Sequence, residues 1–202
     1  MEHDEPQWRE LGPVVLVQVH IDRMVNGGRY EHEKIVEVDA LWLGPDGLIG
    51  QRGDEQLVHA HHRLHPNKTR ADNRKKFLPA RLLSIGFTGH YDQMVERFGE
   101  APIGCAAEDV VVEHAGVVSL DDLRGGVQLR RGDRVIALDG AAVAKPCVPF
   151  TKYLLQDQDA ADDIVAPNRA SLDDGIRGFL FGLADQSETV DVAVGDTLWV
   201  RA

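Results

Sequence analysis

The stretch Arg134–Gln156, RVIALDGAAVAKPCVPFTKYLLQ, decides how the chain is read. Two apolar runs, Arg134–Leu138 and Ala141–Ala144, flank Asp139-Gly140. Asp-Gly between such runs supplies the positive-φ residue that a tight hairpin turn needs. Pro146 has no N–H to donate and ends the second strand. Pro149 suits the first turn of a helix that carries Phe150, Tyr153, Leu154 and Leu155. Cys147 is therefore expected between a strand end and a helix N-terminus, where the helix dipole and Lys145 favour a thiolate. The competing reading is a small core residue, the commoner fate of a free cysteine.

Outward from this stretch, strands predominate. Val14–Ile21 (VVLVQVHI) is rich in β-branched residues and predicts a strand. Lys34–Leu43 predicts a second, closed by Gly44-Pro45-Asp46-Gly47, where Asp46-Gly47 is another hairpin signal. Leu82–Phe87, Glu108–Glu113 and Val127–Arg130 are further strand candidates, and Arg131-Gly132-Asp133 reads as the turn into Arg134. Val190–Val194 and Thr197–Val200 are the last two, turned by Gly195-Asp196. Tyr91–Phe98 predicts a short helix, and Ser171 is a good N-cap for a helix over Leu172–Leu183. Without a regular βαβ alternation, the pattern predicts a mainly β domain with some α, either barrel-like or α+β, rather than a Rossmann fold. The expected organisation is one domain over 1–202, with 1–12 a loose arm and 157–202 a C-terminal elaboration.

Composition narrows the partners. The chain has 202 residues and a formal net charge of −11 at pH 7, which argues against nucleic-acid or anionic-membrane binding. Its two cysteines, Cys105 and Cys147, fit no zinc motif, and Cys105 reads as a turn or core residue. The polar, acidic N-terminus predicts no signal peptide, and no apolar run approaches the roughly 20 residues of a membrane span. A cytoplasmic protein is expected. No GxGxxG or GxxxxGK[ST] supports a nucleotide loop.

One neighbourhood is basic. His59, His61, His62 and His65 crowd together, followed by Lys68, Arg70, Arg74, Lys75, Lys76 and Arg81. A solvated basic loop is one reading; a wall that hydrogen-bonds phosphate or carboxylate groups is the other. His59-x-His61-His62 also permits a metal site, because histidines at i and i+2 of a strand share a side. His90 and Glu108 are candidate pocket hydrogen-bonding groups, or else capping and packing residues. Arg177, flanked by Gly175 and Gly178, is a candidate clamp for an anion.

Four segments in order resemble the MOSC domain, the module named after the C-terminal part of molybdenum cofactor sulfurases. They are Leu83–Gly99 (LSIGFTGHYDQMVERFG), Pro102–Glu113 (PIGCAAEDVVVE), Gly125–Cys147, which ends in the family's Pro-Cys, and Leu172–Phe179 (LDDGIRGF). The resemblance implies a β-barrel that binds molybdenum cofactor, with Cys147 as the metal- or sulfur-binding thiol. A soft anionic sulfur suits that task. On this reading His59, His61, His62, Arg70, His90, Glu108 and Arg177, the candidates found above, would contribute to the cofactor pocket. Asp109 stands where the family usually has Asn, exchanging a donor for an acceptor. The function expected is a sulfur carrier, or a reductase of N-hydroxylated small molecules served by a separate reductase or sulfur donor. The alternatives are a His-cluster metal-dependent hydrolase or oxygenase, and a non-catalytic binding domain.

Overall fold

The computed structural model describes residues 7–65 and 78–201. Arg70, with Lys68, Arg74, Lys75 and Lys76, lies outside the described residues.

The chain begins with β1, Trp8–His20, followed by the two-residue strands β2, Val25–Asn26, and β3, Arg29–Tyr30. Next come β4, Ile35–Glu37; β5, Ala40–Gly44; β6, Gly47–Arg52; and β7, Glu55–Val58. After the basic segment, β8 (Leu83–Phe87) runs directly into helix α1 (Thr88–Phe98), then β9 (Val110–Val112) and the short helix α2 (Leu120–Leu123). The remainder is β10 (Val127–Arg131), β11 (Arg134–Val143), α3 (Val148–Leu154), α4 (Asp162–Ala170), β12 (Phe179–Leu183), β13 (Val190–Ala193) and β14 (Thr197–Arg201).

Seven strands close into a barrel in the order β14-β10-β11-β12-β8-β9-β1, with β1 pairing back onto β14. The architecture is α+β with short helices, as the strand-rich sequence predicts. Every barrel pair is antiparallel except β8–β9, which α1 connects as a parallel crossover. A second sheet, β13-β5-β6-β7, stands beside the barrel, and β4 pairs with the last turn of β1, Gln18–His20. The barrel is filled by Val14, Val17, Ile85, Phe87, Val110, Val112, Phe179, Phe181 and Leu198, all essentially inaccessible. Each large aromatic among them contributes about 1.5–3 kcal/mol by leaving water. A smaller cluster outside it joins Tyr91 and Met94 of α1 to Phe150 and Leu154 of α3 and the 105–107 turn.

Four expectations need correction. Residues 8–12 are no loose arm: Trp8 faces Arg201 and Gly12 faces Leu198 in the pairing that closes the barrel. Asp139-Gly140 does not turn a hairpin. β11 runs through it, paired first with β10 and then with β12, and the register shift between Asp139 and Ala142 marks a bulge where Gly140 holds φ 71°. The hairpin turn is Arg131-Gly132-Asp133-Arg134 instead. The helix expected over Leu172–Leu183 is absent; α4 ends at Ala170, and Phe179–Leu183 is the barrel strand β12. Phe179, Phe181 and Leu183 alternate inward, so the period-two burial outweighed the helix N-cap signal at Ser171. The 157–202 segment therefore supplies β12 and β14 to the barrel and is no peripheral elaboration.

Candidate functional site

Strand pairing lines up Ala142 of β11, Leu180 of β12 and Ser84 of β8 in one row, and the Ile85–Val110 and Val110–Val17 pairs carry that row on to the C-terminal end of β1. A cavity of about 510 Å³ opens there, bounded on its other side by Gly47, Leu48 and the residues after β7. Its wall contains His20, His59, His61, Arg81, Ser84, Glu108, Asp109, Lys145 and Arg177, together with Ala106, Ala107, Val143 and Ala144.

The floor depends on a tethered turn. Gln18 donates to the carbonyls of Gly104 (2.8 Å) and Glu108 (2.6 Å). Tyr30 donates to Cys105 O at 2.7 Å, and His20 Nε2 donates to Ala107 O at 2.7 Å. Together they hold Ala107 in a left-handed conformation, φ 66°, that an L-residue with a Cβ resists. The strain lies where the backbone must turn Glu108 and Asp109 inward ahead of β9.

Glu108 and Asp109 are both buried, with different partners. Tyr91 donates its hydroxyl to Glu108 Oε2 at 2.6 Å, while Oε1 is enclosed without a partner. Gly86 makes that position possible, because a Cβ there would lie 2.4 Å from Oε1. Burial pushes the Glu108 carboxyl up to about 7, against the lowering effect of the Tyr91 hydroxyl. Asp109 Oδ2 accepts from Ser84 N (2.8 Å) and Ser84 Oγ (2.6 Å), and Oδ1 lies 3.3 Å from His59 Nε2. Burial alone would raise its carboxyl, but His59, His20 and the Ser84 bonds outweigh burial and hold it below its ordinary value. Here the acceptor-only character of Asp, in place of Asn, is used by Ser84 and faces a histidine ring.

Three histidine rings gather above this pair. The His59 ring centroid is 4.7 Å from His20 and 5.2 Å from His61. Burial and the neighbouring His59 lower His20 to about 4, so it is neutral at pH 7. His59 Nδ1 accepts from the amide of His61 at 3.0 Å.

Arg177 forms another side. Its NH1 donates to Lys145 O at 2.8 Å, its guanidinium lies 5.3 Å from the Phe150 ring centroid, and its Nε is buried without a partner. Gly178, at φ 97°, allows the approach to β8, since a Cβ there would come within 2.7 Å of Ile85 O.

Of the residues the sequence proposed, His59, His61, Glu108 and Arg177 meet in this cavity. Two proposed pocket residues do not. His90 is buried in the core, its ring 5.2 Å from Phe87 and 6.1 Å from Phe179, with Nε2 at 3.1 Å from the Val118 backbone. Its packing role replaces the pocket role. His62 is buried against Gly47, outside the cavity wall, and its Nδ1 accepts from Leu64 N. Cys147 is the N-cap residue of α3, as the sequence predicts, but it is half-buried against the Tyr30–Phe150 cluster and outside the cavity wall. Cys105 is buried, and burial pushes its thiol up to about 12, so it is an inert turn residue. Sequence reasoning missed His20, Gln18, Ser84 and Tyr91. The one available signal was Gln18 and His20 at alternate positions of an otherwise apolar strand.

The class defined by fold and site is a closed seven-stranded α+β barrel with a polar pocket on its wall. Solved structures share that fold. The YuaD protein from Bacillus subtilis aligns over 96% of this chain and 97% of its own, at 12% identity and a TM-score of 0.56. The crystal structure of a hypothetical protein aligns over 98% of this chain and 70% of its own, at 15% identity and a TM-score of 0.50. YiiM from Escherichia coli aligns over 83% of this chain and 65% of its own, at 18% identity and a TM-score of 0.45. No family model matches the sequence, and no curated protein does. Among the described residues, no helix is long and apolar enough to cross a membrane.

Proposed function

We propose that this pocket binds the phosphorylated pterin of the molybdenum cofactor, or a related pterin phosphate. The observation that carries this reading is Arg177: a guanidinium oriented by Lys145 O and Phe150, in a wall that also holds Arg81 and Lys145. In a chain of net charge −11, three cationic side chains on one cavity are a recognition feature for an anion. The cavity volume of about 510 Å³ is in the range of small-molecule sites. Histidines 20, 59 and 61 add polar groups, and Glu108, with its carboxyl near 7, can accept or donate a proton at the floor.

The residues fit the phosphate-bearing half of that cofactor. When bound, its molybdenum would supply two-electron redox chemistry or hold a transferable sulfur. Arg177, Arg81 and Lys145 would neutralise the phosphate, and the pocket wall would exclude water from one face. Cys147, the thiol implied as metal or sulfur ligand, lies two positions beyond Lys145 and outside the wall, so its role is separable from pocket binding. A reductase or sulfur-transfer role would need a separate electron or sulfur donor.

The test is to co-express the chain with a cofactor-synthesis pathway, purify it, and measure pterin and molybdenum per chain. Wild type is expected to carry pterin, and Arg177→Met to lose at least tenfold of it. Cys147→Ala that keeps pterin but loses molybdenum assigns the thiol to the metal; retention of both removes Cys147 from the site. A wild-type protein free of pterin overturns the proposal.

A further inference from the structure

We propose that His20, His59 and Asp109 form a site for a divalent transition-metal ion of the zinc class, with an open coordination position facing the pocket. This inference needs no cofactor and stands apart from the pterin reading, which is carried by Arg177, Arg81 and Lys145.

One ligating atom from each of the three residues lies within 4.8 Å of the others, and all three residues are buried. His59 Nε2 and Asp109 Oδ1 face each other at 3.3 Å, yet each is enclosed and without a hydrogen-bond partner. Two buried polar atoms left orphaned in opposition call for a third group between them. A separation of 3.3 Å equals the edge of a tetrahedron whose centre is roughly 2.0–2.1 Å from each nitrogen or oxygen ligand. His20 is prepared in the usual manner of a metal ligand: Nε2 donates to Ala107 O at 2.7 Å, which leaves Nδ1 with its lone pair and fixes the ring. Asp109 is likewise held from behind by Ser84 through Oδ2.

His59 Nδ1 accepts from the His61 amide, so ligation through Nε2 puts the ring proton on Nδ1 in place of that hydrogen bond. One hydrogen bond is a small loss against three metal–ligand bonds. Two imidazoles and a carboxylate suit zinc, iron(II) or cobalt(II) rather than calcium or magnesium. Three protein ligands leave a fourth position for water or for an anionic group bound in the pocket.

The test uses the full chain stripped with a chelator and titrated with zinc chloride and cobalt(II) chloride. One equivalent of cobalt is expected to bind with the visible d–d bands of low-symmetry coordination, and zinc to raise Tm. Asp109→Asn and His20→Gln, checked for folding by circular dichroism, are expected to weaken cobalt binding at least tenfold. X-ray absorption on zinc-loaded wild type needs no variant, and should show a nitrogen/oxygen shell with imidazole scattering. Wild type without saturable binding, folded variants that bind undiminished, or sulfur in the zinc shell would each overturn the proposal.

Discussion

Glu108 and Asp109 follow one another in the chain and are both buried, yet their surroundings push the two carboxyl groups in opposite directions. For Glu108, burial outweighs the Tyr91 hydroxyl, a backbone hydrogen bond and the Arg177 charge, and its carboxyl rises from 4.5 to about 7. With the folded value above the unfolded one, the native protein holds the extra proton between these values. The Glu108 contribution to stability is then most favourable below about pH 4.5 and falls as the pH rises towards 7. At about 1.4 kcal/mol per unit, Glu108→Gln should flatten this slope and be worth up to roughly 3 kcal/mol relative to wild type above neutrality. Urea unfolding of both proteins at pH 5 and pH 8 measures it; parallel pH dependences would contradict the assignment. Asp109 behaves oppositely: its stabilisation is lost as the pH falls through its depressed folded value. Residues such as Glu108 and Arg177 were legible in the sequence because glycines or a strand start set them apart. His20 was not, because a lone histidine in a strand gains meaning only when the fold brings His59 and Asp109 against it.

At the scale of elements, the positions of turns were harder to read than the strands. Asp139-Gly140 satisfies every local rule for a hairpin, but a seven-stranded closure needs β11 long enough to pair with both β10 and β12, so the glycine serves a bulge. Register with distant strands won over local turn chemistry. The junction of β8 and α1 shows the reverse case, where a glycine has one meaning only in the packed structure. Gly89 lies in the first turn of α1, and a Cβ there would be 2.0 Å from Gly116 O. Gly→Ala in a free helix stabilises by about 0.5–1 kcal/mol. Gly89→Ala is instead expected to destabilise by roughly 1–3 kcal/mol or more, because backbone must shift to admit the methyl group. Chemical denaturation gives the sign, and a stabilised variant would refute the close approach.

For the whole molecule, barrel closure depends on the two chain ends. The pairing of Trp8–Pro13 with Thr197–Arg201 joins β1 to β14 and buries Leu11, so a segment that looked peripheral is the seam of the barrel. Deleting residues 1–12 should lower Tm by at least about 10 °C, since each lost kcal/mol is worth about 2–4 °C in a chain of this size. A thermal melt unchanged by the deletion would show that the seam contributes nothing. The strand content could be read from composition and periodicity, because β-branched runs have few other outcomes, whereas the closed barrel was implied only by the resemblance of four ordered segments. The pocket could not be read, since it draws on β1, β8, β9, β11, β12 and the residues after β7 at once. That assembled pocket is the centre of the functional account, and pterin content per purified chain after co-expression with cofactor synthesis tests it most directly. The account predicts pterin close to one per chain in wild type and at least tenfold less in Arg177→Met; equal pterin in the two proteins, or none in wild type, would contradict it.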